Sequence, residues 1–310
     1  MKRFTFGSTD VETSRVALGV MRIDSRSRDE AKTIVKTVLD HGVTFFDTAD
    51  VYGLGKSSEV LGQALKDLGI KRDSIWLQTK FGIISTDKGN QRYDFSKEHL
   101  IEALDAELER LGTDHVDSVL LHRPDTLMDL EDVAEAFDDM EAAGKALHFG
   151  VSNMNPWQVE LVQSGVSQKL EANQLQFGLM HTHMIQQELH VNMEDSPSLD
   201  HDGGILAYSR LKKMTIQAWS PFQYGFFEGP FIDNPKFPEL NAELDKVAKN
   251  HKTNKNAIAV AWILRHPAKM QVVLGSMNPD RLTQMAEGAD VDLERQEWWD
   301  LYFAAGNDLP

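Results

Sequence analysis

Cysteine is absent from the 310 residues. That excludes disulfides, thiol nucleophiles and thiolate metal ligands, and it fits a reducing compartment, so a cytoplasmic protein is expected. No apolar run approaches the length a bilayer-spanning helix needs, and the opening MKRFTFGSTDVETSR lacks the apolar stretch of a signal peptide. Positive charge is scarce: 32 basic residues stand against 48 acidic ones, for a net charge of -16. Such a surface repels nucleic acid and anionic membranes, and neither is expected as a partner. Linkers rich in Pro, Gly or Ser are missing too, so one domain over residues 1–310 is the simplest organisation. Also missing is the G-x-G-x-x-G turn that a dinucleotide-binding open sheet carries after its first strand.

What is present is alternation. β-rich runs recur at Arg15–Val20, Val43–Asp47, Ser74–Phe81, Val116–Leu121, Ala146–Val151, Leu170–Leu175, Thr215–Ser220 and Met270–Gly275. Helical patterns fill the gaps. Ser27 and Glu30 form a capping box before Ala31, Ile34, Val35 and Val38. Ser96 can cap a helix carrying Leu100, Leu104, Leu108 and Leu111, ahead of Gly112. Leu130, Val133, Phe137 and Met140 make a further stripe, with the acidic residues of this stretch on a solvated face. Asn155-Pro156 and Asn278-Pro279 are cap-then-proline helix starts. About eight strand–helix units predict an α/β fold, a (β/α)8 barrel with parallel strands and right-handed crossovers. A doubly wound sheet is the competitor. Two segments break the rhythm, polar 178–202 and the Gly-, Pro- and Phe-rich 223–238. Both follow strands, so both are expected at the C-terminal face where barrel active sites sit, the first as a substrate-contacting loop.

The stretch GVTFFDTADVYG (Gly42–Gly53) places Asp47 at the end of the second strand and Tyr52 in the loop after it. The third strand carries Lys80 near its end, and the fourth is followed directly by His122. In a barrel these four converge. A phenol is a poor acid at neutral pH, and a neighbouring ammonium lowers its pKa. A carboxylate keeps that ammonium charged and oriented, and a histidine can hold a carbonyl oxygen by a hydrogen bond. Together they form a proton donor aimed at an oxygen becoming an alkoxide, which is what carbonyl reduction requires; the hydride must come from a cofactor. Asp47 and Asp50 could instead be the carboxylate pair of a glycosidase, but that leaves Tyr52, Lys80 and His122 without work. His181 and His183, with His190 and His201 beyond them, lack the spacing of a metal site, and no metal is expected. Phe226, Phe227 and Phe231 suit a flap over a cofactor or an apolar wall for substrate. Trp298 and Trp299 suit packing on the barrel or capping of the pocket.

At these residues the chain resembles the aldo-keto reductase superfamily, over nearly its whole length. GVTFFDTADVYG, TKFG (Thr79–Gly82) and LHRPDTLMD (Leu121–Asp129) are similar to the segments holding the family's catalytic tetrad, and GKALHFGVSNMNPWQ (Gly144–Gln158) to its fifth-strand segment. The nearest likeness is to a bacterial NADPH-dependent oxidoreductase branch. The resemblance implies a (β/α)8 barrel with an N-terminal β-hairpin, long loops at the C-terminal face, and NADPH bound without a Rossmann motif. It implies Tyr52 as general acid, tuned by Lys80 and Asp47, with His122 orienting the carbonyl. Ser152, Asn153 and Gln174 would hold the nicotinamide amide, and Trp219, where Tyr is common, would stack on its ring. Ser220, Pro221 and Phe222 would follow the pyrophosphate, with Met21 and Arg22 bordering the cofactor. Gly275, Ser276, Arg281 and Gln284 would take the phosphate end, Arg281 pairing with the 2′-phosphate at a helix N-terminus. Many relatives carry Lys or another polar residue where Gly275 stands, and Glu and Asn where Gln284 and Met285 stand. The implied function is reduction of an aldehyde or ketone to its alcohol by a monomer, on a small-molecule carbonyl substrate such as a reactive aldehyde or dicarbonyl. The alternative is an NADPH-binding sensor like the potassium-channel subunits of the family. Those often carry an extra N-terminal segment, whereas here Met1 lies a few residues before the first hairpin.

Overall fold

A computed structural model describes residues 1–85 and 91–310. Eight parallel strands close into a barrel: Val16–Gly19, Phe45–Asp47, Trp76–Phe81, Val116–Leu121, Ala146–Ser152, Leu170–Gln176, Thr215–Trp219 and Gln271–Leu274. Each pairs with its neighbours in chain order, and the eighth returns to the first. The third strand starts later than the sequence suggests, because Arg72–Ser74 form a 3-10 turn in which Ser74 Oγ donates to the Lys71 carbonyl at 2.6 Å.

The helix signals act where they stand. Ser27 and Glu30 complete a capping box on Arg28–Asp40. Ser96 caps Lys97–Leu111, which ends at Gly112 with a φ of 67°. Asn155 and Asn278 cap Pro156–Gly165 and Pro279–Glu287. Before the first barrel strand, Arg3–Thr5 and Glu12–Ser14 form an antiparallel hairpin. Phe6, just beyond its first strand, packs on Phe45 and Trp76, which begin the second and third barrel strands, so the hairpin closes the barrel's N-terminal end.

Side chains alternate across the barrel wall with period two. In the third strand Leu77 and Phe81 join the cluster under the helices, while Trp76, Gln78 and Lys80 face inward. The interior floor is aromatic and aliphatic, with Phe45 stacked on Trp76 at 5.5 Å. Above it lies a layer of amides. Gln78 and Gln217 exchange hydrogen bonds at 2.8 and 3.1 Å, and Gln217 donates to Gln271 at 2.8 Å. A buried network satisfied in this way is rigid, because each amide fixes the next. It forms the floor of the site.

Several insertions depart from the βα repeat. A hairpin of Ile83–Ser85 and Gln91–Tyr93 follows the third strand, and another of Gln223–Tyr224 and Gly229–Pro230 follows the seventh. Segment 178–202 contains the helix His183–Leu189. Thr182 and Gln186 both donate to Asn307 Oδ1, at 2.8 and 2.6 Å, which ties the segment to the C-terminal tail. Trp298 packs on the barrel rather than capping the pocket: it stacks on Trp262 at 4.9 Å, and each indole N–H donates to the other residue's carbonyl at 3.0 Å. Among the described residues, no helix is long and apolar enough to cross a membrane.

Candidate active site

A cavity of about 1160 Å³ opens at the C-terminal end of the barrel. Asp47 and His122 line it, with Tyr52 between strands two and three. Lys80 does not line it. It lies fully buried beneath, and its Nζ donates to Asp47 Oδ1 at 2.7 Å, Asp47 Oδ2 at 2.8 Å and the Thr48 carbonyl at 2.6 Å. Tyr52 is aimed by its turn. Gly53, Leu54 and Gly55 have φ of 56°, 55° and 90°, left-handed conformations that glycine adopts without strain. The Tyr52 ring stands 5.1 Å from Lys80 Nζ and meets the His122 ring edge-on at 5.7 Å.

Asp47 is held from below as well. Gln78 and Gln174 donate amide N–H groups to its Oδ1 at 2.7 and 3.0 Å. Gln78 and Gln217 carry no signal in the sequence as site residues, since interior glutamines resemble surface ones until the barrel closes. Asp50, the other carboxylate of the glycosidase reading, is not in the cavity wall. Its Oδ1 is buried without a partner among the described residues, and burial and then the Glu107 carboxylate push its pKa up to about 7.

The electrostatics partly reverse the expectation for Tyr52. Its pKa is raised: burial dominates and Asp47 adds to it, while Lys80 pulls it down without winning. Tyr52 is half-exposed toward the cavity, so cavity water relieves some of the burial effect. Either way the phenol keeps its proton at neutral pH. Burial opposes the charge on Lys80, but Asp47 and Tyr52 outweigh it and leave its pKa raised. His122 is pushed well below the ordinary histidine value, by burial first and then by the charges of Lys80 and Arg123. It is a neutral imidazole whose Nδ1 has no partner among the described residues.

The same cavity is lined by Met21, Arg22, Ser152, Asn153, Gln174, Trp219, Ser220, Pro221, Phe222, Gly275, Ser276, Arg281 and Gln284. The amide group is interlocked: Trp219 Nε1 donates to Asn153 Oδ1 at 3.1 Å, Asn153 Nδ2 to Ser152 Oγ at 2.7 Å, and Ser152 Oγ to the Gln174 carbonyl at 3.0 Å. Asn153 and Ser220, both in the cavity wall, hold positive φ of 56° and 49°, which is uncommon outside glycine. A Cβ on Gly275 would meet nothing within 4 Å, so the wall is open beside the N-terminus of Pro279–Glu287. A dinucleotide phosphate fits this groove. The helix end offers the positive pole of its dipole, Arg281 offers a guanidinium without a carboxylate partner among the described residues, and the volume exceeds the range of about 300–1,000 Å³ usual for a small-molecule site.

Other residues lie elsewhere than the sequence suggests. Phe226 and Phe227 line the cavity, and Phe227 stacks with Trp219 at 6.1 Å, but Phe231 is fully buried against Phe222. Segment 178–202, expected to contact substrate, contributes no residue to the cavity wall; Thr182 ties it to Asn307. In its place the hairpin residues Ile83, Ser85, Gln91 and Tyr93 form a wall, together with Arg123.

Known proteins are similar to this chain in sequence and fold. The model of the aldo/keto reductase family matches residues 15–301. The chain is 34% identical over 307 residues to a 6-dehydroglucose reductase of Agrobacterium fabrum, covering 96% of each. It is 31% identical over 317 residues to the oxidoreductase YdhF of Escherichia coli, covering 100% of each. A crystal structure of an aldo/keto reductase from Klebsiella pneumoniae in complex with NADP and acetate has the same fold, with a TM-score of 0.74, 22% identity, and coverage of 97% of this chain and 94% of that one.

Proposed function

The chain belongs to the aldo/keto reductase family, and from that premise we propose that it reduces aldehydes or ketones to alcohols with NADPH, Tyr52 serving as general acid. The observation that carries this reading is the buried Lys80–Asp47 pair set directly beneath a protonated Tyr52 and a neutral His122. Ser152, Asn153, Gln174 and Trp219 would hold the nicotinamide end of NADPH, and Ser276 and Arg281 the phosphate end; the cofactor would be the source of the hydride that the carbonyl carbon needs. His122, neutral, donates one ring N–H to the carbonyl oxygen and fixes it beside the phenol. As the C=O π bond breaks, that oxygen takes the Tyr52 proton. The phenolate left behind is stabilised by the Lys80 ammonium and is reprotonated from solvent. Asp47 keeps Lys80 charged and in place, and the amide layer keeps Asp47 in place.

The test is loss of nicotinamide absorbance when the pure protein is given NADPH and a panel of neutral and charged aldehydes. Turnover is expected. NADPH binding without turnover across the panel would favour a sensor like the potassium-channel subunits. No NADPH binding at all would overturn the reading.

A further inference from the structure

Most of the cavity wall is explained by a reductase site, but Arg123 is not. It follows His122 directly, lines the cavity and is half-buried. Arg28, Arg72 and Arg110 each pair with a carboxylate at 2.5–3.0 Å. Arg123 has neither a carboxylate partner nor a side-chain hydrogen bond among the described residues. In a chain with 48 acidic residues against 32 basic ones, partners are plentiful, so an unpaired guanidinium in a half-buried wall stands out. Asp125, two residues on, does not neutralise it: its carboxylate accepts from the backbone N–H groups of Phe95 and Leu127.

Its position separates it from the cofactor's phosphates. Arg123 follows the fourth strand, whereas Gly275, Ser276 and Arg281 follow the eighth. In the closed order three strands lie between these on either side, so the two cationic sites face each other across the barrel mouth. Its charge reaches the reacting groups, acting on both Tyr52 and His122. The described wall beside it, Ile83, Ser85, Gln91 and Tyr93, is apolar or neutral.

We propose that Arg123 binds an anionic group, a carboxylate or a phosphate, on the substrate itself, making oxo acids and phosphorylated aldehydes the preferred substrate class. This rests on the reductase reading above. A guanidinium meets either anion with paired N–H donors, and its place beside His122 puts the anion on the side of the carbonyl away from the cofactor.

The test compares kcat/KM for matched pairs: succinic semialdehyde with butanal, 4-carboxybenzaldehyde with methyl 4-formylbenzoate, and glyceraldehyde 3-phosphate with glyceraldehyde. The wild type is expected to favour the anionic member of at least one pair by roughly 10-fold or more, the scale of one charge-assisted bond. The first two pairs report a carboxylate preference, the third a phosphate preference. Arg123→Leu should collapse that ratio, and Arg123→Lys should restore part of it; partial rescue by a second cation also guards against a folding defect. The preference should shrink as salt rises. Equal rates for charged and neutral members in all three pairs, or a fall in Arg123→Leu that leaves the ratio intact, would overturn the inference while leaving the reductase standing. Failure to reduce any aldehyde would instead sink the reductase reading beneath it.

Discussion

Replacing Lys80 with Met and Asp47 with Leu, singly and together, probes the buried pair. Lys80 is fully buried and Asp47 is 2% exposed, and they meet at 2.7 and 2.8 Å. Removing one member of such a pair strands the other charge and costs about 3–5 kcal/mol, a large share of the roughly 5–15 kcal/mol that holds a domain together. The two losses are unequal. Without Lys80, Asp47 still accepts from Gln78 and Gln174 at 2.7 and 3.0 Å. Without Asp47, Lys80 keeps the Thr48 carbonyl and its contact with Tyr52 but no carboxylate, and both amides lose an acceptor. Asp47→Leu is therefore the costlier change. The double variant strands neither charge, so it should be less destabilised than the sum of the singles by about 2–3 kcal/mol. Urea unfolding of the four proteins at pH 7 measures this. The pH dependence adds a second readout. In Asp47→Leu the main group opposing the burial of Lys80 is gone and only Tyr52 remains, so its folded pKa is expected to fall below the unfolded value of about 10.4. Between those values the unfolded chain binds more protons, and the variant gains stability as pH rises. Additive losses with a flat pH profile would refute the picture of a buried, mutually dependent pair.

Asp50→Asn tests the neighbouring carboxyl. Its folded pKa of about 7 exceeds the unfolded value of about 3.9, so wild-type stability falls as pH rises through that window, by at most about 4 kcal/mol. The variant should gain on the wild type between pH 4 and pH 8 in paired urea melts, and a constant difference would contradict the assignment. Arg281→Ala should raise the KM for NADPH far more than the KM for NADH, since the 2′-phosphate is the group Arg281 is placed to meet; equal changes would remove it from that role.

The barrel was legible because its alternation is carried by hydrophobic period and by caps such as Ser27, Ser96, Asn155 and Asn278, which act locally. The positions of Asp47, Lys80 and His122 were legible for the same reason: a strand end in a closed parallel barrel faces the mouth. What needed the structure was long-range or inward-facing. The amide layer joins four strands through Gln78, Gln174, Gln217 and Gln271, and nothing in a single strand marks a glutamine as interior. The fate of segment 178–202 depends on Asn307, more than a hundred residues away. The paired strands Ile83–Ser85 and Gln91–Tyr93 have three residues each and polar members, too short for a clear period. The direction of the Tyr52 shift depends on depth as well as on its cationic neighbour, and depth is not written in the spacing.

The most direct measurement is Tyr52→Phe against the wild type, with 4-nitrobenzaldehyde reduction and NADPH affinity read on the same preparations. If Tyr52 donates the proton, kcat falls by about 10²–10⁴-fold while NADPH affinity stays close to that of the wild type. A variant that keeps turning over at the wild-type rate would show that the proton comes from elsewhere, and the roles given to Lys80 and Asp47 would fall with it.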